Sequence, residues 1–273
     1  MPPDLDTGVV ASIDARLSGI ETDHGVRLLW AIESGSRAWG FPSPDSDYDA
    51  RFIYVRPTRD YLSPWLHRDV VETPLDRVFD VNGWDLRKAL DLMTRGNAVA
   101  LEWLRSPIVY AGDPAAHGAL LDLADRITEP ELIARHYVHV GQQQWERCGA
   151  AESDGRIARL KGVFYALRPA AVLHWMDNHP EQHVPPVKLQ DLLEQAPPDE
   201  DVRDAIAKLV KVKTRTREMG AGEVPEPVRR FVVQQLYAAR WEGTGHRRRP
   251  EEDARAEAAD VFRVIVTGEL SSR

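Results

Sequence analysis

Cysteine is almost missing from this chain: Cys148 is the single one in 273 residues, so no internal disulfide can form and a disulfide-stapled scaffold is excluded. Long hydrophobic runs are missing too, since no apolar stretch approaches the roughly 20 residues that span a bilayer. Met1-Pro2-Pro3-Asp4-Leu5-Asp6 offers neither the basic nor the apolar part of a secretory leader, and the expectation is a soluble, cytoplasmic protein. Nor is positive charge in excess. With 35 Lys and Arg against 43 Asp and Glu the formal charge is −8, which argues against non-specific binding of long duplex nucleic acid. There is no internal repeat and no low-complexity tract. At 43% hydrophobic residues the chain can build a sizeable core and two substructures.

What is present is a compact constellation near the start. Val26 to Ile32 is aliphatic, aromatic and β-branched and predicts a buried strand. Gly35 then allows a turn and a close backbone approach to a ligand, and Ser36 to Phe41 can form a short helix whose first N–H groups, with the Ser36 hydroxyl, face an anion such as a triphosphate. Pro42-Ser43-Pro44-Asp45-Ser46 is a turn. Asp47 to Val55 has strand composition, so Asp47, Asp49 and Arg51 share one face while Tyr48, Ala50, Phe52 and Tyr54 share the other, packed one. Two carboxylates about 7 Å apart along a strand can converge on small hard cations, and Mg²⁺ (or Mn²⁺) suits them because it takes a few carboxylates and completes its shell with water and phosphate oxygens. The competing reading of Ser46 to Asp49 is a solvated strand start beside a turn. Arg37, just past the turn, and Arg51, on the carboxylate face, are candidates to answer phosphates, or else ordinary ion-paired arginines.

An apolar strand, Gly-Ser, a ten-residue gap and Asp-x-Asp resemble the DNA polymerase β superfamily of nucleotidyltransferases. Phe79 to Lys88, Gly96-Asn97, Glu102 to Tyr110, Lys161 to Trp175 and Leu209 to Lys213 are similar to the YcgL-like predicted nucleotidyltransferases, some of which are associated with RNA ligases. The likeness runs from about Leu28 to Phe231. It implies nucleotidyl transfer from a nucleoside triphosphate, with pyrophosphate leaving, and a third carboxylate from a neighbouring strand. Asp80 is the better candidate because alternation in Val78-Phe79-Asp80-Val81 sets it opposite two apolar residues. Asp85 is its rival, although it stands where a helix begins and reads equally as that helix's cap. Arg87 and Lys88, in the first turn of that helix, invite an anionic partner because a cation there opposes the helix dipole.

Farther along, Lys161, Tyr165 and Arg168 are spaced by four and three and fall on one helical face, beside an apolar stripe of Leu160, Phe164 and Leu167. That face can bind a triphosphate and stack on a base, or it can be the polar side of a core helix. Lys208, Lys211, Lys213, Arg215 and Arg217 form one basic cluster and His246 to Arg249 another; the first can touch an RNA end or nucleotide, and either can be a solvated face. His136 and His139 lack a recognised zinc spacing, and Cys148 reads as an inert helix residue.

The organisation expected is α+β: a small mixed-sheet nucleotidyltransferase domain over 1–110, then an all-helical domain over 111–273 that closes a cleft on the carboxylates. Helices are predicted at Val9 to Leu17, Asp85 to Thr94, Val99 to Leu104, Leu132 to Val140, Val163 to Met176, Val187 to Leu193, Val202 to Val212, Val228 to Trp241 and Ala254 to Ile265, and further short strands at Val70 to Glu72 and Val78 to Val81. The activity expected is Mg²⁺-dependent transfer of a nucleoside monophosphate to an acceptor hydroxyl or phosphate, with an RNA 3′ end or tRNA as the favoured acceptor. The alternative is a catalytically silent nucleotide-sensing or partner-binding module on the same fold, and a third reading is a phosphotransferase or phosphohydrolase using the same metals. Neither the preferred triphosphate nor the oligomeric state can be read from the sequence.

Overall fold

The computed structural model describes residues 5–74, 78–150, 156–217, 219–241 and 249–269. The first four residues of the leader reading and His246 to Arg248 of the second basic cluster lie outside them. The fold is α+β, and the chain divides into two compact units.

The first unit comprises 1–38, 47–128 and 249–273. It opens with α1 (Thr7–His24), whose N-cap Asp6 accepts the amides of Gly8 and Val9 and whose end at Gly25 is left-handed, at φ 59°. Strand β1 (Arg27–Glu33) leads into a single helical turn, α2 (Gly35–Ala38), and then to β2 (Tyr48–Val55). After the turn α3 (Thr58–Tyr61) come β3 (Val70–Glu72), β4 (Phe79–Asp85), α4 (Leu86–Thr94), α5 (Ala98–Leu104), β5 (Val109–Gly112) and α6 (Pro114–Ile127). The five strands form one mixed sheet in the order β3-β4-β2-β1-β5, in which β2 and β4 are parallel and the other pairs antiparallel. Ile13, Leu17 and Ile20 of α1 pack on Ala31, Ala50, Phe52, Tyr54 and Val81 to make a buried apolar cluster. This is the packed face that alternation predicted for β2. Ile53 and Val55 are also buried, so the second half of β2 is covered on both faces. The last helix of the chain, α12 (Glu251–Thr267), packs on α4 and α6.

The second unit comprises 39–46 and 129–248. Its frame is α7 (Pro130–Arg147) against the 19-residue α8 (Leu160–Asn178), which continues through Pro169. Helices α9 (Leu189–Gln195), α10 (Glu200–Lys213) and α11 (Glu226–Leu236) complete it, and β6 (Ile157–Arg159) pairs antiparallel with β7 (Ala221–Glu223). Phe164, Leu167, Val172 and Trp175 of α8 are each at most 1% exposed.

Three expectations are corrected. The boundary does not fall at 110, because β5 is the edge strand beside β1 and α6 and α12 both belong to the first unit. Helix α6 itself was not predicted, although Asp113 caps it and Pro114 occupies its first turn. Nor is the part beyond 110 all-helical: β5, β6 and β7 have three or four residues each, too few for alternation to register. Composition marks local breaks, whereas membership of a unit depends on where an amphipathic helix docks.

In β4, Gly83 is paired with Phe52 of β2, and a Cβ added there would lie 2.3 Å from the Phe52 ring and 2.5 Å from its carbonyl oxygen. Gly83→Ala is expected to cost about 2 kcal/mol in urea unfolding, as overpacking of a rigid strand pair does. A variant as stable as the parent would contradict the pairing described.

Candidate functional site

The parallel register sets Asp49 of β2 opposite Asp80 of β4. Two carboxylates side by side repel, and Arg51, two residues on and on the same face as Asp49, lies between them. Its Nη2 donates to Asp49 Oδ1 at 3.0 Å and to Asp80 Oδ2 at 2.6 Å, and its Nη1 donates to the Asp80 carbonyl at 2.6 Å. Asn82 Nδ2 donates to the other Asp80 oxygen at 3.1 Å. Asp47, just before β2, is exposed. Burial pushes the Asp49 carboxyl up, Arg51 opposes this, and the negative charges of Asp47 and Asp80 add to the rise.

The Gly-Ser turn closes onto this group. Gly35 adopts φ +60°, and a Cβ on it would sit 2.2 Å from Asp49 Oδ2, so the position needs glycine both for its backbone conformation and for the carboxylate beside it. The Ser34 amide donates to the Asp49 carbonyl at 2.9 Å. The short helix expected from Ser36 to Phe41 is the single turn Gly35–Ala38, with Ser36 buried. Arg37 donates from Nε to the Asp47 carbonyl at 3.2 Å and lies 3.8 Å over the Tyr48 ring, so it braces the start of β2.

Sequence reasoning missed Glu33, the last residue of β1, which is 0% exposed. Its Oε1 accepts the Asp49 amide at 3.1 Å, its Oε2 accepts the Tyr110 hydroxyl at 2.6 Å, and Arg37 Nε stands 3.8 Å away. Burial is the main cause that pushes its carboxyl up to about 7. The signal was legible: an acidic residue closing an otherwise apolar strand.

Asp85 is placed elsewhere. Five residues beyond Asp80, or roughly 16 Å along a strand, it is 2% exposed and caps α4 through the Arg87 amide at 2.9 Å. The Tyr61 hydroxyl donates to both its oxygens at 3.2 and 3.1 Å, and Arg56 Nε is 3.7 Å away. Arg87 is exposed and Lys88 pairs with Asp69 at 3.2 Å, so both stand with Asp85 at the end of β4 away from Asp80.

The Lys161, Tyr165 and Arg168 face is split by burial. Lys161 is exposed and Tyr165 half-buried, but Arg168 is 2% exposed, donates from Nε to the Val187 carbonyl at 3.0 Å and lies 4.8 Å over the Trp39 ring. Trp39 meets the Tyr165 ring edge-on, at 5.6 Å. Lys213, expected on a basic surface, is instead 1% exposed, with its Nζ 4.4 Å over Phe41 and 4.8 Å over Phe164. Burial, with Lys161 nearby, lowers its ammonium to about 8. Arg168 and Lys213 thus clamp the segment 39–46 inside the second unit. Cys148 is buried and its thiol raised, as an inert residue requires.

The oxygen donors of Asp47, Asp49 and Asp80 suit a small hard dication, and the repulsion expressed at Asp49 is what such a cation would relieve. As the side chains stand, no group of three His, Cys, Asp or Glu among the described residues is disposed to hold a metal, and Arg51 lies between Asp49 and Asp80. No helix among the described residues is long and apolar enough to cross a membrane.

The chain is similar to known proteins. The RNA repair pathway DNA polymerase beta family, RlaP, matches residues 9–264. The uncharacterized protein YcgL of Bacillus subtilis (strain 168) is 34% identical over 220 residues, which cover 81% of this chain and 82% of that protein.

Glu33 yields a stability prediction. Its pKa is higher folded than unfolded, so between about 4.5 and about 7 the folded chain holds a proton that the unfolded chain has lost. Its contribution is therefore complete below the unfolded value and disappears as pH rises through the folded one. From about pH 5 to pH 8 the parent should lose on the order of 2–3 kcal/mol relative to Glu33→Gln, measured by urea unfolding of both without divalent metal. Parallel pH profiles would refute the assignment.

Proposed function

The chain belongs to the RNA repair pathway DNA polymerase beta family, and from that premise we propose that it is a divalent-metal-dependent nucleotidyltransferase that moves a nucleoside monophosphate from a nucleoside triphosphate to an RNA end. The observation that carries this reading is the register of β2 and β4, which sets Asp49 beside Asp80 with the Gly35 turn in contact with Asp49. In the reaction an acceptor hydroxyl or phosphate oxygen forms a bond to the α-phosphorus, the bond from that phosphorus to the bridging oxygen breaks, and pyrophosphate leaves.

Asp47, Asp49 and Asp80 would hold Mg²⁺ or Mn²⁺, which when bound supplies Lewis-acid neutralisation of phosphate charge and lowers the pKa of the attacking hydroxyl. Asp80 also serves as acceptor for the hydroxyl proton. Gly35 and Ser36 offer backbone and hydroxyl donors to the phosphates, and Arg37, fixed on Asp47 and Tyr48, keeps that turn in place. Arg51 brings a guanidinium that can leave one carboxylate and meet phosphate oxygens. In the second unit taken by itself, exposed Lys161 and half-buried Tyr165 form a face with the chemistry to bind phosphate and stack on a base, and Arg168 stands behind Tyr165 through Trp39. Asp85, Arg87 and Lys88 take no part in this reading, since Asp85 is used by Tyr61 and α4.

One observation favours a second reading. Arg51 already bridges Asp49 and Asp80, as a built-in cation would in a nucleotide-sensing module without turnover.

The deciding experiment incubates the protein with Mg²⁺ or Mn²⁺, each α-³²P-labelled nucleoside triphosphate and a pool of RNA ends. Label is expected in RNA and should fall at least roughly a hundredfold in Asp49→Ala, a loss larger than that of an outer-shell partner. Mn²⁺ binding followed by electron paramagnetic resonance separates the two readings: metal bound by the parent and lost in Asp47→Ala supports the enzyme. Triphosphate binding with neither metal uptake nor transfer supports the module.

A further inference from the structure

Between α3 and β3 the chain exposes what a soluble surface seldom does: Leu62, Trp65 and Leu66 are each 80% exposed, within five consecutive residues. Together they display on the order of 400 Å² of apolar side chain, the size of the largest patch a monomer usually carries. The display is held from beneath. Tyr61, at the start of the loop, donates its hydroxyl to buried Asp85, accepts the Arg56 amide at 3.0 Å and meets Phe262 of α12 edge-on at 4.9 Å. At the other end the Arg68 carbonyl accepts Arg56 Nη2 at 3.1 Å and the Tyr54 hydroxyl at 3.4 Å. Within the loop, Leu62 N–H donates to the Thr58 carbonyl at 3.3 Å and Trp65 N–H to Ser63 Oγ at 3.1 Å. Both ends of Leu62–His67 are therefore tied to one partly buried polar network around Arg56 and Asp85, and the apolar side chains stand outward from it.

We propose that this patch is the centre of a two-fold interface with a second copy of this chain. The charges around it decide the occupant. Arg59 pairs with Asp60 at 3.6 Å and Arg68 with Glu72, so the described residues flanking the loop carry both signs. An interface between identical patches must complement itself, and alternating charge beside an apolar centre does so. The same balance offers no positive field to RNA phosphates or to an anionic membrane. Copies carrying −8 each repel overall, and a locally neutral apolar patch is where that repulsion is least. The patch is about half of the roughly 800 Å² per partner of a standard interface, the size of a weak and reversible contact.

Sedimentation velocity of the full chain from about 1 to 200 μM is expected to show a rise toward twice the monomer mass. Trp65→Asp and Leu66→Asp should each weaken the dimer at least tenfold while leaving the circular dichroism and melting temperature unchanged, because neither side chain is buried. Val212→Asp, at a half-exposed apolar position in the second unit, is the control and should dimerise like the parent. A parent that stays monomeric over the whole range, or a dimer indifferent to Trp65 and Leu66, overturns the proposal. So would a Trp65-dependent interaction with a single-stranded RNA oligonucleotide or with phosphatidylserine vesicles in a chain that stays monomeric.

Discussion

The parallel pairing of β2 with β4 forces Asp49 and Asp80 into adjacent positions, and Arg51 makes that adjacency tolerable. Much of the first unit can be understood from this pair. The carboxylates are partly buried and so costly to hold charged; the arginine offsets their repulsion with hydrogen bonds to both side chains and to a carbonyl of β4. Gly35 must be glycine because Asp49 occupies the space where a side chain would go. Glu33, with no exposure at all, receives the Asp49 amide and so ties the end of β1 to the carboxylate strand. Glu33, Asp47, Asp49 and Asp80 thus gather four acidic residues at the ends of β1, β2 and β4 and the turn beside them, an arrangement that is unfavourable in isolation.

The opposite end of β4 solves a different problem with the same residue types. Asp85 is also a buried, raised carboxyl, but its partners are a helix amide, a tyrosine hydroxyl and an arginine, all within the unit. It thereby anchors the loop that presents Leu62, Trp65 and Leu66 to solvent. The two ends of a seven-residue strand thus separate two tasks: one holds the carboxylates beside the Gly-Ser turn, and the other fixes an apolar display.

In the second unit two buried cations pack against aromatic rings, beside a largely aliphatic core. Arg168 over Trp39 and Lys213 over Phe41 and Phe164 hold the segment that follows the Gly-Ser turn. Burying an ammonium without a hydrogen-bond acceptor at its Nζ is expensive, and its lowered pKa expresses that cost. The rings return part of it through their negative faces.

Local chemistry sufficed for much of this. The strand ending at the Gly-Ser turn, the alternation of β2, the strand that carries Asp80 and the cap at Asp85 all follow from period, turn chemistry and capping, which act over a few residues. Burial of Arg168 and Lys213 did not follow, because a cation at helical spacing looks the same whether it faces water or an aromatic ring contributed by residue 39 or 41. The membership of β5, α6 and α12 in the first unit, and of residues 39–46 in the second, was likewise invisible, since short edge strands carry no alternation and docking is settled by partners far away in sequence. The amino-acid order alone determined which residues could do chemistry and on which strand face they lie. Only the tertiary structure decided which of them meet, because register between β2 and β4, and the desolvation that raises Glu33 and Asp49, exist only once distant segments are packed together.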